Sequence, residues 1–306
     1  MTALRILSIK SAFYTPVILT AIRFLPEAGV QTELIYRTNH NPSKMMRDGT
    51  LDFSQHAPSA AMVDRANGID DTPIHIASIN ERDGFLLIGR EPDANFTWSK
   101  LQGRTVVPAS FAVQPEACLR FALHRQGVDA SKVNLVEGLD GMAAAAAAFA
   151  QGTGDYVHLQ DPAARMLVKQ GKGHLVAMFG DAIGPIAFSS VATSQAMIKE
   201  RPDTVRSFMM AYSQARQWMA GATAREISEA VAGEFDTIDS DVLHDAIDGY
   251  KSLGTWTAKT AITRSAFDTA LDMMNLSSSL TGVADRYPYE QCCNDEFANE
   301  VDGNTR

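Results

Sequence analysis

No stretch of about 18 consecutive apolar residues occurs anywhere in the 306-residue chain, so nothing in it reads as a transmembrane helix. Cysteine is scarce, with three residues, Cys118, Cys292 and Cys293. An odd number at irregular spacing argues against a disulfide framework and against a cysteine-based zinc site. The adjacent pair Cys292 and Cys293, set in a polar tail, reads as ordinary thiols. No run rich in Lys and Arg is present, and 27 basic residues face 36 acidic ones for a formal net charge of -9. That balance argues against a nucleic-acid surface, although an acidic protein still holds anions through local dipoles. The G-x-S-x-G elbow, the P-loop, H-E-x-x-H and the G-x-G-x-x-G dinucleotide loop are all missing, which counts against the common enzyme classes. A secretory leader is not visible either, because Lys10, Ser11 and Pro16 interrupt the apolar residues of MTALRILSIKSAFYTPVILTAIRFL. Two locations are therefore carried forward: periplasmic if a signal peptide has been removed, cytoplasmic if Met1 is the native start, with the balance toward the cytoplasm for the chain as written.

What is present is alternation of strands and helices. LRILSI reads as a first strand, and Pro16 opens a helix over roughly 16–28 with Val17, Ile18, Ala21, Ile22 and Leu25 on one face. QTELIYR, LDFS, IHIASI and GFLLIGR follow as further strands, separated by short helices. A second unit restarts the pattern after about residue 91. Beyond residue 186 one more strand, IAFSSVATS, gives way to a chain that is nearly all helical. The fold class expected is α/β, with two lobes built on open, mainly parallel sheets and a helical C-terminal part packed on the first lobe. The lobes are expected over residues 1–90, 91–184 and 185–306, the last completing lobe one, with crossings near Arg90 and Gly184.

Ligands on such sheets bind beyond the carboxyl ends of the strands. This points to Phe13, Tyr14 and Thr15 in the first loop, the aromatics for stacking, or else for packing beneath the loop. Asn39 and His40 follow the second strand, where Asn39 also suits a helix cap. His56, at the end of the third, suits a ligand carboxylate, or general-base chemistry if the protein is an enzyme. Arg82 offers a bidentate clamp on a carboxylate or sulfonate, or a hinge ion pair with Asp83. Ser110 and Phe111 precede a helix start whose backbone N–H groups suit an anion. Tyr156, His158 and Asp161 cluster on DYVHLQDP, but no third ligand has spacing suited to a metal, so neither a metal nor another cofactor is expected.

Five segments in order carry a family resemblance: AFYTPVILTA, DGTLDFSQHAPSAAMVDRANG, SKLQGRTVVPASFAVQPEACLRFALHRQGVD, GTGDYVHLQDPAARMLVKQGKGHLVAMFG and RPDTVRSFMMAYSQARQWM. Together they resemble the sulfonate- and thiamine-pyrimidine-precursor-binding proteins of ABC transporters. The resemblance implies a type II periplasmic-binding-protein-like clamp that closes on a small, anionic or heterocyclic organic molecule. It also implies an ABC permease as partner. Two enzymes share this scaffold. The yeast-type enzyme that makes the thiamine pyrimidine from its own histidine and pyridoxal phosphate would place its lysine at His56, its histidine at Ala60 and its cysteine-rich loop near IAFSS. The aryl-sulfinate desulfinase would place its cysteine at Ala12. None of these residues matches, which leaves a binding protein as the first expectation and a decarboxylase- or lyase-like enzyme using a cleft histidine, His56 or His158, as the alternative.

Overall fold

The computed structural model describes residues 3–38, 40–110, 113–277 and 287–303. Two five-stranded sheets form the framework. The first contains β1 (Leu4–Ser8), β2 (Thr32–Tyr36), β3 (Phe53–His56), β4 (Ile74–Asn80) and β10 (Ser189–Thr193), in the order β2-β1-β3-β10-β4. The second contains β5 (Phe85–Gly89), β6 (Thr105–Val107), β7 (Asn134–Leu135), β8 (Tyr156–Gln160) and β9 (His174–Met178), in the order β7-β6-β8-β5-β9. The two orders are equivalent. In each sheet the strand that arrives from the other lobe, β10 or β5, runs antiparallel between two neighbours. The sheets are therefore mixed, not mainly parallel. Strand β5 also belongs to the second sheet, so the first crossing precedes it at 81–84 instead of falling near Arg90.

Local sequence explains the elements. Every residue of FLLIG in β5 is buried, as expected of a strand covered on both faces. The first helical segment begins at Thr15 with Pro16 in its first turn, and widens into a π-turn over Thr20–Phe24 just before Pro26. A proline inside a helix lacks an N–H and crowds the carbonyl four residues back, and a wider turn relieves both. Gly84, in the first crossing, lies against the Phe13 ring, and a Cβ there would come within 2.3 Å of it.

The C-terminal helices pack on the first lobe. From helix Pro202–Gly221, the buried Arg216 donates to the carbonyls of Ser78 and Ile79 (both 2.9 Å) at the end of β4. Its other nitrogens reach Glu81 (3.0 Å) and the Thr257 carbonyl (2.7 Å), so this buried cation is paired and hydrogen-bonded as burial requires. Two later helices also touch the second lobe. Helix Ser240–Ser252 brings the Tyr250 hydroxyl to accept from the Asp161 N–H at 3.1 Å, and Met273 of helix Arg264–Leu276 packs sulfur to sulfur against Cys118. All three cysteines are buried and free, and burial pushes their thiols up, which keeps them unreactive.

Candidate functional site

A cavity of about 270 Å³ lies between the lobes. It is built from the loops beyond the strands' carboxyl ends, where an open α/β sheet presents its ligand. Ile9 follows β1, Arg37 follows β2, Gln55 and Ala57 come from the end of β3, and Gln160 ends β8. Phe85 and Phe188 supply apolar walls, and Tyr14 adds a phenol that interacts with the Gln160 side chain. The combination of apolar walls with a few convergent polar groups is that of a small-molecule site.

Arg37 is the residue that the sequence reading missed, one position ahead of the loop it singled out. Its guanidinium makes no hydrogen bond or ion pair among the described residues, and partial burial pulls its pKa down. Gln55 is 3% exposed, and its side-chain oxygen has no hydrogen-bond partner among the described residues. A buried amide oxygen left unpaired costs free energy unless something else occupies the site.

The singled-out residues sort differently from expectation. Tyr14 lines the cavity. Phe13 does not, and packs in the core against Tyr14, Phe188 and Tyr250. Thr15 is buried in the first helical turn, its hydroxyl donating to the Ala12 carbonyl at 2.7 Å. His40 bonds locally to the Thr38 N–H, and Asn39 and Phe111 lie outside the described residues. His56 points away from the cavity, because side chains alternate along a strand and Gln55 takes the inward position. Its Nε2 meets the Ser43 hydroxyl at 3.1 Å and its ring lies 5.7 Å from that of His75. Burial, then the charge of Arg37, pushes the His56 pKa down to about 4.

In the second lobe His158 lies one layer beneath the cavity, stacked at 4.1 Å on the wall residue Phe85, and burial pushes its pKa down to about 3. Tyr156 sits at the far end of β8 against Gly89 and Phe96, and Ser110 accepts the Gly141 N–H at its carbonyl. Arg82 donates to the Gly180 carbonyl at 3.1 Å, tying the first crossing to helix Phe179–Ile183 just ahead of the second. Asp161 is paired with Arg165 at 2.8 Å; burial nonetheless raises its pKa, with Arg165 opposing. Among the described residues no group of His, Cys, Asp and Glu is arranged to hold a metal ion.

The lobes are joined across the cavity. Gln114, at the start of helix Val113–Arg125, accepts from the Ser59 hydroxyl (2.6 Å) and donates to the Phe188 carbonyl (2.8 Å). On the other side the Ser11 hydroxyl donates to the Asp161 carbonyl at 3.2 Å. These bonds define a closed arrangement. Gln114→Ala removes two of them, each worth about 1 kcal/mol net, so ligand affinity is expected to fall roughly 30-fold. Small-angle scattering of the variant should also report a larger radius of gyration; unchanged scattering and affinity would remove Gln114 from the closure.

Residues 16–223 match the family model described as NMT1/THI5 like. Among curated relatives, YtlA of Bacillus subtilis (strain 168), named a candidate binding protein, is 28% identical over 295 residues, covering 95% of this chain and 87% of its own. Among solved structures, the periplasmic nitrate-binding protein NrtA of Synechocystis PCC 6803 superimposes with a TM-score of 0.75 at 13% identity, covering 100% of this chain and 89% of its own. The periplasmic sulfonate-binding protein SsuA of Methylobacillus flagellatus KT gives 0.74 at 15% identity, covering 98% of this chain and 94% of its own. These likenesses extend over both lobes and establish the periplasmic-binding-protein fold. With more than half its length matched by the model, the chain belongs to the NMT1/THI5-like family.

Proposed function

We propose that this protein is the solute-binding component of an ABC importer and closes its two lobes over a small organic molecule carrying an anionic group. The observation that carries this reading is that the Arg37 guanidinium and the amide oxygen of Gln55, neither with a hydrogen-bond partner among the described residues, line the same interlobe cavity. A cation at the rim of a partly dry site gains more from an anion than it would in bulk water. The flat walls of Phe85, Phe188 and Tyr14 suit an aromatic or heterocyclic body. The lobes would move as bodies about the crossings at 81–84 and 184–188, with ligand shifting the balance toward the closed form. A permease is the implied partner, and delivery to it favours the periplasmic one of the two locations set out above. Among the described residues no helix is long and apolar enough to cross a membrane.

Catalysis finds less support. The enzyme alternative needs a cleft histidine to act on the ligand, and neither His56 nor His158 lines the cavity. The test is a thermal-shift screen of small carboxylates and sulfonates, followed by mass spectrometry of the best stabiliser after incubation with the protein and denaturation. Recovery of the unchanged molecule is expected. A converted product would overturn the binding-protein reading.

A further inference from the structure

Only two charged side chains line the interlobe cavity among the described residues, and they are of opposite sign: Arg37 and Asp64. Asp64 belongs to helix Pro58–Ala66, where Ala60, Val63 and Asp64 share the face turned to the cavity, as residues three and four apart do. Neither charge is spent on a partner among the described residues. The Asp64 side chain, like that of Arg37, takes part in no hydrogen bond or ion pair among the described residues, and the two are not paired with each other. The remaining polar groups of the wall, Tyr14, Gln55, Ser59, Gln114, Gln160 and Ser189, are neutral.

The two charges therefore sum to zero. A simple anion would satisfy Arg37 but bring negative charge into a cavity that already holds an unpaired carboxylate, which low-dielectric surroundings penalise. A simple cation meets the converse problem at Arg37. We infer that the ligand is a zwitterion, with a carboxylate or sulfonate on Arg37, a protonated amine or amidine on Asp64, and an uncharged middle packed against the adjoining rings of Phe85 and Phe188. This rests on the reading of the cavity as a small-anion site and narrows it. Both charges also act on His56, Arg37 lowering its pKa and Asp64 raising it, which places them near the same strand end.

Isothermal titration of the full chain with ω-aminoalkanoates and ω-aminoalkanesulfonates of two to six carbons, and with 4-(aminomethyl)benzoate, tests the inference. Each compound is paired with the analogue that lacks the amine. At least one zwitterion is expected to bind tenfold or more tightly than its amine-free partner. Asp64→Asn should bring the two within about twofold of each other, whereas Arg37→Gln should weaken both. Equal binding of zwitterions and plain anions, with Asp64→Asn silent, would overturn the zwitterion and leave the anion reading standing. If no member of the set binds the wild-type protein, both fall.

Discussion

Arg37→Gln is expected to weaken binding of the best carboxylate or sulfonate ligand by 10- to 100-fold while leaving the melting temperature of the ligand-free protein unchanged. The two halves of this expectation have separate causes. A hydrogen bond to a charged group contributes about 1.5–3 kcal/mol, and loss of that amount corresponds to roughly one to two decades in affinity. The fold, by contrast, draws nothing from this guanidinium, which has no hydrogen bond or ion pair among the described residues. Glutamine keeps part of the reach and removes the charge. Titration calorimetry gives the affinity and scanning calorimetry the stability. Unchanged affinity would show that the ligand's charge meets another group. A drop in ligand-free stability comparable to the binding loss would make Arg37 structural.

Acidification between pH 7 and pH 5 is expected to destabilise the protein steeply, by roughly 2 kcal/mol per pH unit. Three histidines are buried and neutral: His56 titrates at about 4, His158 at about 3, and His75 well below its ordinary value, in each case chiefly because burial disfavours the charged ring. In the unfolded chain all three would take up protons near pH 6.5. Below that pH the unfolded state binds three protons that the folded state refuses, so stability present at neutral pH is lost as pH falls. Asp83 acts the other way. Burial raises its pKa to about 7, so the folded state holds a proton that the unfolded state does not over the same range. Because these groups titrate within this range, the average balance is between one and two protons in favour of unfolding, which at about 1.4 kcal/mol per proton sets the slope. Urea midpoints at pH 7, 6 and 5 measure it. His158→Phe, which keeps an aromatic ring stacked on Phe85, should flatten the slope by about one proton. A midpoint constant from pH 7 to pH 5 would mean that these histidines are paired or hydrated in solution.

The architecture was largely legible in the residues because each lobe repeats a βα pattern and the segment order carries the family. Sheet membership was less so. FLLIG is apolar throughout, so it announces a buried strand but neither its partners nor its direction; these follow from where the chain crosses. The cavity was legible only as a set of loops. Strand β3 reads Phe-Ser-Gln-His, and three consecutive polar side chains give no apolar alternation from which to tell inward from outward. The choice of His56 over Gln55 was therefore a choice between faces that local sequence does not label. Tyr14 and Phe13 posed the same problem in a short helical turn. Arg37 carried a usable signal, a lone cation at the end of a strand that opens onto the cleft, but Asn39 and His40 drew attention two and three residues onward.

The crossing beside Gly84 carries a consequence for the C-terminal third. The chain entering the second lobe does not hang free between two bodies. The Glu81 N–H donates to the Thr255 carbonyl, the Ile186 N–H of the returning crossing donates to the Glu81 carbonyl, and the Glu81 carboxylate is held by Arg216 and Thr257. Trp256 closes the same spot, its indole N–H shared between Asn80 and the Phe13 carbonyl. Helix Pro202–Gly221 and the loop around 255–257 thus mount this crossing, and in the proposed closure they would fix the axis about which the jaws swing. Variation among relatives in the 255–260 loop would then retune how far and how readily the jaws part, without altering a single residue that touches the ligand.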